Sequence, residues 1–136
     1  MMDIELNKRC LENDVLRILA DHLKTAFPKM ARQGTGAGIA FITLERLYHA
    51  AGGNTYGSAG IFNSVIAALC KTGLIEHASE ANTPVRLVEG SQLWRRAGEE
   101  WATGLPEAER FTEAELTRLR EVGFTADSLA PHWRAR

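Results

Sequence analysis

Long apolar runs, cysteine motifs and a decisive charge are what this chain of 136 residues lacks. No apolar stretch approaches the roughly 20 residues that span a bilayer as a helix, so no membrane partner is expected. The opening M-M-D-I-E-L-N-K-R-C has acids where a secretory signal needs an apolar core, so no export signal is expected. The two cysteines, Cys10 and Cys70, have no metal or redox spacing, and reduced thiols in a cytoplasmic protein are the expectation. Cys70 falls on the apolar side of a helix and reads as a packing residue. Neither H-E-x-x-H, C-x-x-C nor a nucleophile elbow occurs. The four histidines, His22, His49, His77 and His132, are scattered, and nothing in their spacing brings them together with Cys10 and Cys70 as a metal set. Glu99-Glu100 and Glu107 with Glu109 read as solvated helix faces. No enzymatic activity, metal or cofactor is therefore expected. There are no repeats and no low-complexity tracts. The net charge of −1 and pI of 6.4 argue against a broad basic surface, although a near-neutral protein can still carry one basic face.

What is present is a series of short, well-punctuated elements. An apolar fraction of 45% is enough to bury a core without metals or disulfides. Residues 1–12 read as an arm or a short leading helix. Asn13 is a good cap, and Val15, Ile18, Leu19, His22, Leu23 and Ala26 recur at helical spacing up to about Phe27, where Pro28 predicts a stop. The segment 28–38 reads as a loop. Its G-T-G-A-G follows a helix and a proline, not a strand, so it is no nucleotide-binding loop. It reads as a linker or, with Lys24 and Arg32, as a phosphate contact. Residues 39–42 predict a small strand. Thr43 caps a second helix with Leu44, Leu47, Tyr48 and Ala51 inward, which Gly52 and Gly53 end before an N-T-Y-G turn.

The stretch 58–88 is the most telling. Ser58 caps a third helix with Ile61, Phe62, Val65, Ile66 and Leu69 on one side. Gly73 stops it, a strand begins at Leu74-Ile75, and 85–88 return as a second strand. After Gly90, residues 92–103 predict a fourth helix with Leu93, Trp94, Ala97 and Trp101 on one side. Thr112 with Glu115 is a capping box opening a fifth, with Leu116, Leu119 and Val122, stopped by Gly123. A further helical piece is expected at 126–130.

The I-T-L-E-R-L-Y-H-A-A-G second helix, the S-A-G-I-F-N-S-V-I-A-A-L-C-K-T-G-L-I third helix with its strand entry, and the return P-V-R-L-V together resemble the winged helix-turn-helix superfamily. The fold expected is mainly α with a small β-hairpin wing. Its parts are an arm (1–12), a winged helix-turn-helix core (13–89) and a helical C-terminal extension (90–136).

The resemblance implies binding of double-stranded DNA, with the third helix in a groove and a role in transcription regulation, replication or plasmid maintenance. It implies Thr55, Tyr56, Ser58, Asn63 and Ser64 at the bases, and Lys71 and Arg46 at phosphates, with Arg86, at the base of a wing tip spanning 77–84, at the minor groove or a phosphate. Yet the third helix carries Ala59, Gly60, Ala67 and Ala68 and no arginine, and the wing holds Glu76 and Glu80. A face of that kind also suits a protein partner, so the alternative is a module that docks a protein through the third helix and the tryptophan-bearing C-terminal extension. Trp94, Trp101 and Trp133, the chain's three tryptophans, all follow the wing. They predict either a homodimer contact or an intramolecular cap on the first helix.

Overall fold

A computed structural model of the chain describes residues 4–52, 59–79, 84–105 and 111–124. Among these, five α-helices accompany one two-stranded antiparallel hairpin, in the order α1 (Ile4–Arg32), a 3-10 turn (Ala37–Ala40), α2 (Leu44–Ala50), α3 (Ala59–Lys71), β1 (Ile75–His77), β2 (Val85–Leu87), α4 (Gln92–Thr103) and α5 (Glu113–Glu121). The mainly helical fold with a small hairpin is as expected.

Helix α1 is longer than its sequence predicts at both ends. Its 29 residues span about 43 Å, taking in residues 4–12 rather than starting after Asn13. Pro28 lies inside it. An internal proline removes one backbone hydrogen bond and costs about 3 kcal/mol. Tertiary burial offsets that cost, because Phe27, Met30 and Ala31 are all at most 1% exposed. The Arg118 Nη1–H also donates to the Ala31 carbonyl at 3.0 Å. The apolar stripe runs Leu11, Val15, Leu19, Leu23, Ala26, Phe27 and Met30, and α2, α3, α4, α5, the 3-10 turn and β2 pack against this helix. His22 and Ile18 are half-buried beside the stripe, and His22 Nε2–H donates to the Ile39 carbonyl at 3.0 Å.

The expected strand at 39–42 is corrected to a 3-10 turn followed by one paired residue. Phe41 N–H closes the turn on Gly38 O, and Ile42 exchanges both backbone bonds with Val85, at 2.8 and 2.9 Å. The chain has only a few residues in which to pass from α1 to the cap of α2, and the His22 bond holds Ile39 in the turn. One residue is therefore all that reaches the hairpin. Within the hairpin Ile75 faces Leu87, Glu76 faces Arg86 and His77 faces Val85. Ile75, Val85 and Leu87 point into the core.

After α1 the predicted punctuation holds at Thr43, Gly73 and Thr112. Thr43 Oγ1 accepts from Arg46 N, and Thr112 and Glu115 form the capping box in both directions. At Gly73 (φ +79°) the Leu74 amide reaches Leu69 O and the Gly73 amide Cys70 O, at 3.0 and 3.1 Å. This is the left-handed closure that ends many helices. The caps expected at Ser58 and Gly53, the N-T-Y-G turn and the helix at 126–130 lie outside the described residues.

Helices α4 and α5 settle against α1 through aromatic rings. Phe27 stacks on Trp101 (centroids 5.4 Å apart) and meets Trp94 and Phe124 edge-on at 5.9 and 5.1 Å. Trp101 also meets Phe124 and Phe111. Such pairs contribute about 0.5–1.5 kcal/mol each beyond burial. Gly98 makes the socket: a Cβ there would lie 2.3 Å from Phe124 Cε2. Of the two outcomes expected for the tryptophans, Trp94 and Trp101 form the intramolecular cap on α1. Trp133 lies outside the described residues. Among the described residues no helix is long and apolar enough to cross a membrane.

An ion pair between Lys24 and Glu100 joins α1 to α4 at the surface. The hydrogen bond to Glu100 raises the Lys24 ammonium above its ordinary value, against the opposing effect of burial; the charges of Glu100 and Asp21 add to the rise. A raised lysine stabilises the fold fully below its ordinary value and stops doing so as pH climbs through the folded value. Glu100→Gln is expected to cost under about 1 kcal/mol at neutral pH, and the difference from the parent should vanish in strongly alkaline buffer. Urea titrations across pH check this; a difference that persisted there would show that the charge is not its source.

Candidate nucleic-acid interface

Helix α3 has one face in the core and one face open. Phe62, Val65, Ile66 and Leu69 are buried, while Ala59, Gly60, Asn63, Ser64, Ala67, Ala68 and Lys71 are exposed. The split follows from the 3.6-residue period, which puts the large apolar side chains on one stripe and the small or polar ones opposite. Helix α2 crosses beside it through the Tyr48 and Phe62 rings, whose centroids are 5.2 Å apart. Arg46 is exposed on the outer side of α2. The stop at Gly73 then turns the chain directly into β1, so the hairpin follows α3 without an intervening element.

Of the residues expected to meet DNA, Asn63, Ser64 and Lys71 share the open face of α3, and Arg46 is exposed on the neighbouring helix. Neither Arg46 nor Lys71 forms an ion pair with a described residue. Thr55, Tyr56 and Ser58 lie outside the described residues, as do 80–83 of the wing tip.

Arg86 is a correction. Its side chain is 12% exposed and its guanidinium is engaged inside the molecule. Nε and Nη2 donate to Glu76 Oε1 at 3.0 and 2.8 Å, Nη2 also to Glu89 Oε2 at 3.1 Å, and Nη1 to the Ala37 carbonyl at 2.9 Å. The cation lies 4.4 Å from the centroid of the Phe41 ring and 5.6 Å from that of Trp94. The planar fork of donors suits such a junction better than an ammonium would. Arg86 ties the hairpin to the 3-10 turn and to α4, with all three of its guanidinium nitrogens donating inside the molecule.

The two basic side chains expected to serve the glycine-bearing segment after α1 are also engaged within the molecule. Lys24 pairs with Glu100 and Asp21. Arg32 is the last residue of α1, 3.5 Å from Glu115 and over the Phe111 ring at 5.1 Å.

No protein-family model, curated protein or solved structure matches the chain.

What α3 can do is set by its own side chains. Asn63 offers a carboxamide with one donor group and one acceptor, Ser64 a hydroxyl, and Lys71 a mobile cation in the last turn. Cys70 is half-buried beside them, and burial pushes its thiol up, which suits a packing residue better than a nucleophile. Among the described residues, no group of three or more His, Cys, Asp or Glu side chains is placed to hold a metal ion.

A feature that sequence reasoning passed over lies on α4. An open cavity of about 520 Å³ is bordered by Gln92, Arg95, Arg96 and Glu99. The adjacent arginines in L-W-R-R-A were the available signal, since the burial of Trp94 and Ala97 turns both outward. An acid shares that wall, so its charge is mixed.

Proposed function

We propose that the chain is a winged helix-turn-helix protein that binds double-stranded DNA through α3, in a regulatory or replication-accessory role. The observation that carries the reading is the open polar face of α3 beside a hairpin, in a molecule ordered helix, paired residue, helix, helix, strand, strand. The Ile42–Val85 bridge supports it, because a third pairing segment between the first two helices is what that fold requires. Asn63, Ser64 and Lys71 share the open face of the helix, as a groove-entering helix needs. The homodimer expected from two-fold DNA sites belongs to this proposal.

Fluorescence anisotropy of a labelled duplex across a salt series tests the reading. Each phosphate neutralised contributes a slope of about −0.9 in log affinity against log salt. Lys71→Ala is expected to flatten the slope by about 1 and to weaken binding similarly for all sequences. Folded protein that shows no salt-dependent binding would overturn the proposal.

The low charge of the α3 face favours one other reading, a docking surface for a protein. The tryptophans Trp94 and Trp101 lend it no support, since both pack within the molecule. Loss of duplex binding together with retained capture of a partner through α3 would favour it.

A further inference from the structure

Between Arg46 and Lys71 the sequence contains no Asp, Glu, Lys or Arg. The two cations bound an uncharged stretch that includes all of α3 but its last residue. On α3 this leaves one cation, in the last turn, and a neutral exposed face before it, as suits a helix whose end meets a phosphate while its face meets uncharged base edges. The neutral part is also small: Ala59, Gly60, Ser64, Ala67 and Ala68 are exposed together with Asn63, so a helix axis could lie close to that floor.

Resting on the DNA-binding reading above, we propose that α3 reads A·T pairs in the major groove, taking adenine through Asn63 and a thymine methyl group through Ala67. The chemistry of the side chains decides between base pairs. Guanine is taken in the major groove by a bidentate arginine or lysine, and α3 presents neither at its centre. An asparagine carboxamide donates to adenine N7 and accepts from the adenine N6 amino group, a pairing guanine cannot complete. Ala67 follows Asn63 by four residues, on the same face and about 6 Å along the axis, close to two base-pair steps of about 3.4 Å each. An alanine methyl gains by covering a thymine methyl. Set against a G·C edge it would strip water from polar groups and offer no replacement.

The test uses the full chain and duplexes of equal length. One is built of mixed A·T pairs, one of mixed G·C pairs, and one is the A·T duplex with uracil in place of thymine, all read by anisotropy in the same buffer and over a salt series. The A·T duplex is expected to bind about tenfold tighter than the G·C duplex. Uracil, which lacks only the methyl, should weaken binding about threefold. Asn63→Ala, at an exposed position that leaves the core intact, should remove most of the preference while keeping the salt slope. Equal, salt-dependent affinity for A·T and G·C duplexes would overturn this proposal and leave the DNA-binding reading standing. A preference for A·T that ignores both uracil and Asn63→Ala would also overturn it, since groove shape would then be the source. Absence of binding to every duplex would overturn the DNA-binding reading, and this proposal with it.

Discussion

Arg86→Leu is expected to lower the stability of the fold by about 2–3 kcal/mol and to leave the salt dependence of duplex binding unchanged. Removing one partner of a buried, hydrogen-bonded charge cluster costs about 3–5 kcal/mol. The figure is reduced here because the Glu76 and Glu89 side chains keep 36% and 34% of their exposure and can be hydrated. The Ala37 carbonyl would lose its Arg86 donor, and the Phe41 and Trp94 rings would lose the cation between them. Urea unfolding should show a lower midpoint at an unchanged slope. The binding experiment, run where the variant remains folded, separates the two roles proposed for this side chain. A phosphate contact would take about one unit from the salt slope when removed, whereas an internal tie takes none. A stable variant with a flattened slope would return Arg86 to the interface.

A second large effect is expected from adding a single methyl group. Gly73 and Gly123 both end helices at positive φ, +79° and +84°, with the same pair of backbone bonds closing each end. A side chain in that conformation costs about 1–2 kcal/mol wherever it occurs. At Gly73 a Cβ would meet nothing within 4 Å, so Gly73→Ala should cost about that much and no more. At Gly123 a Cβ would lie 2.6 Å from Gly90 Cα and 3.0 Å from Gly90 N. Both are backbone atoms that no rotamer change can move. Overpacking adds about 1–3 kcal/mol, so Gly123→Ala should cost about 3–4 kcal/mol and loosen the seat of α5 against the start of α4. Matched urea titrations of the two variants decide the point. Equal losses would mean that the Gly90–Gly123 approach does not constrain the fold.

That the two glycines share a local role and differ in their surroundings shows what could be read in advance. The stop at each was legible because a left-handed closure involves only the last turn and the residues after it. The same holds for the caps at Thr43 and Thr112, and for the buried stripe of α3. All depend on neighbours within about four residues, and those neighbours are printed in order along the chain. The open face of α3, which carries Asn63, Ser64 and Lys71, was legible for the same reason, as the complement of its apolar stripe.

The misreadings have the opposite character. Pro28 carries a strong local stop signal. It was overruled because Met30 and Ala31, just beyond it, are buried in the core, and local propensity does not register that gain. The apolar run at 39–42 looked like a strand, but only Ile42 finds a partner, and that partner is 43 positions away at Val85. Arg86 looked like a phosphate contact because arginine on a wing strand suits one. Nothing in P-V-R-L-V reveals that Ala37, Phe41 and Trp94 converge on it. The tryptophans suit a partner chain and α1 equally in the sequence; it is Phe27 of α1, in contact with both Trp94 and Trp101, that decides for these two.

The sequence by itself determined the caps of α2 and α5, the stop after α3 and which side of α3 is apolar, because caps, stops and periodicity act over a single turn. Only the tertiary structure decided the full length of α1, the internal engagement of Arg86 and the seat of α4 and α5, because each rests on burial and hydrogen bonds between residues far apart in the chain.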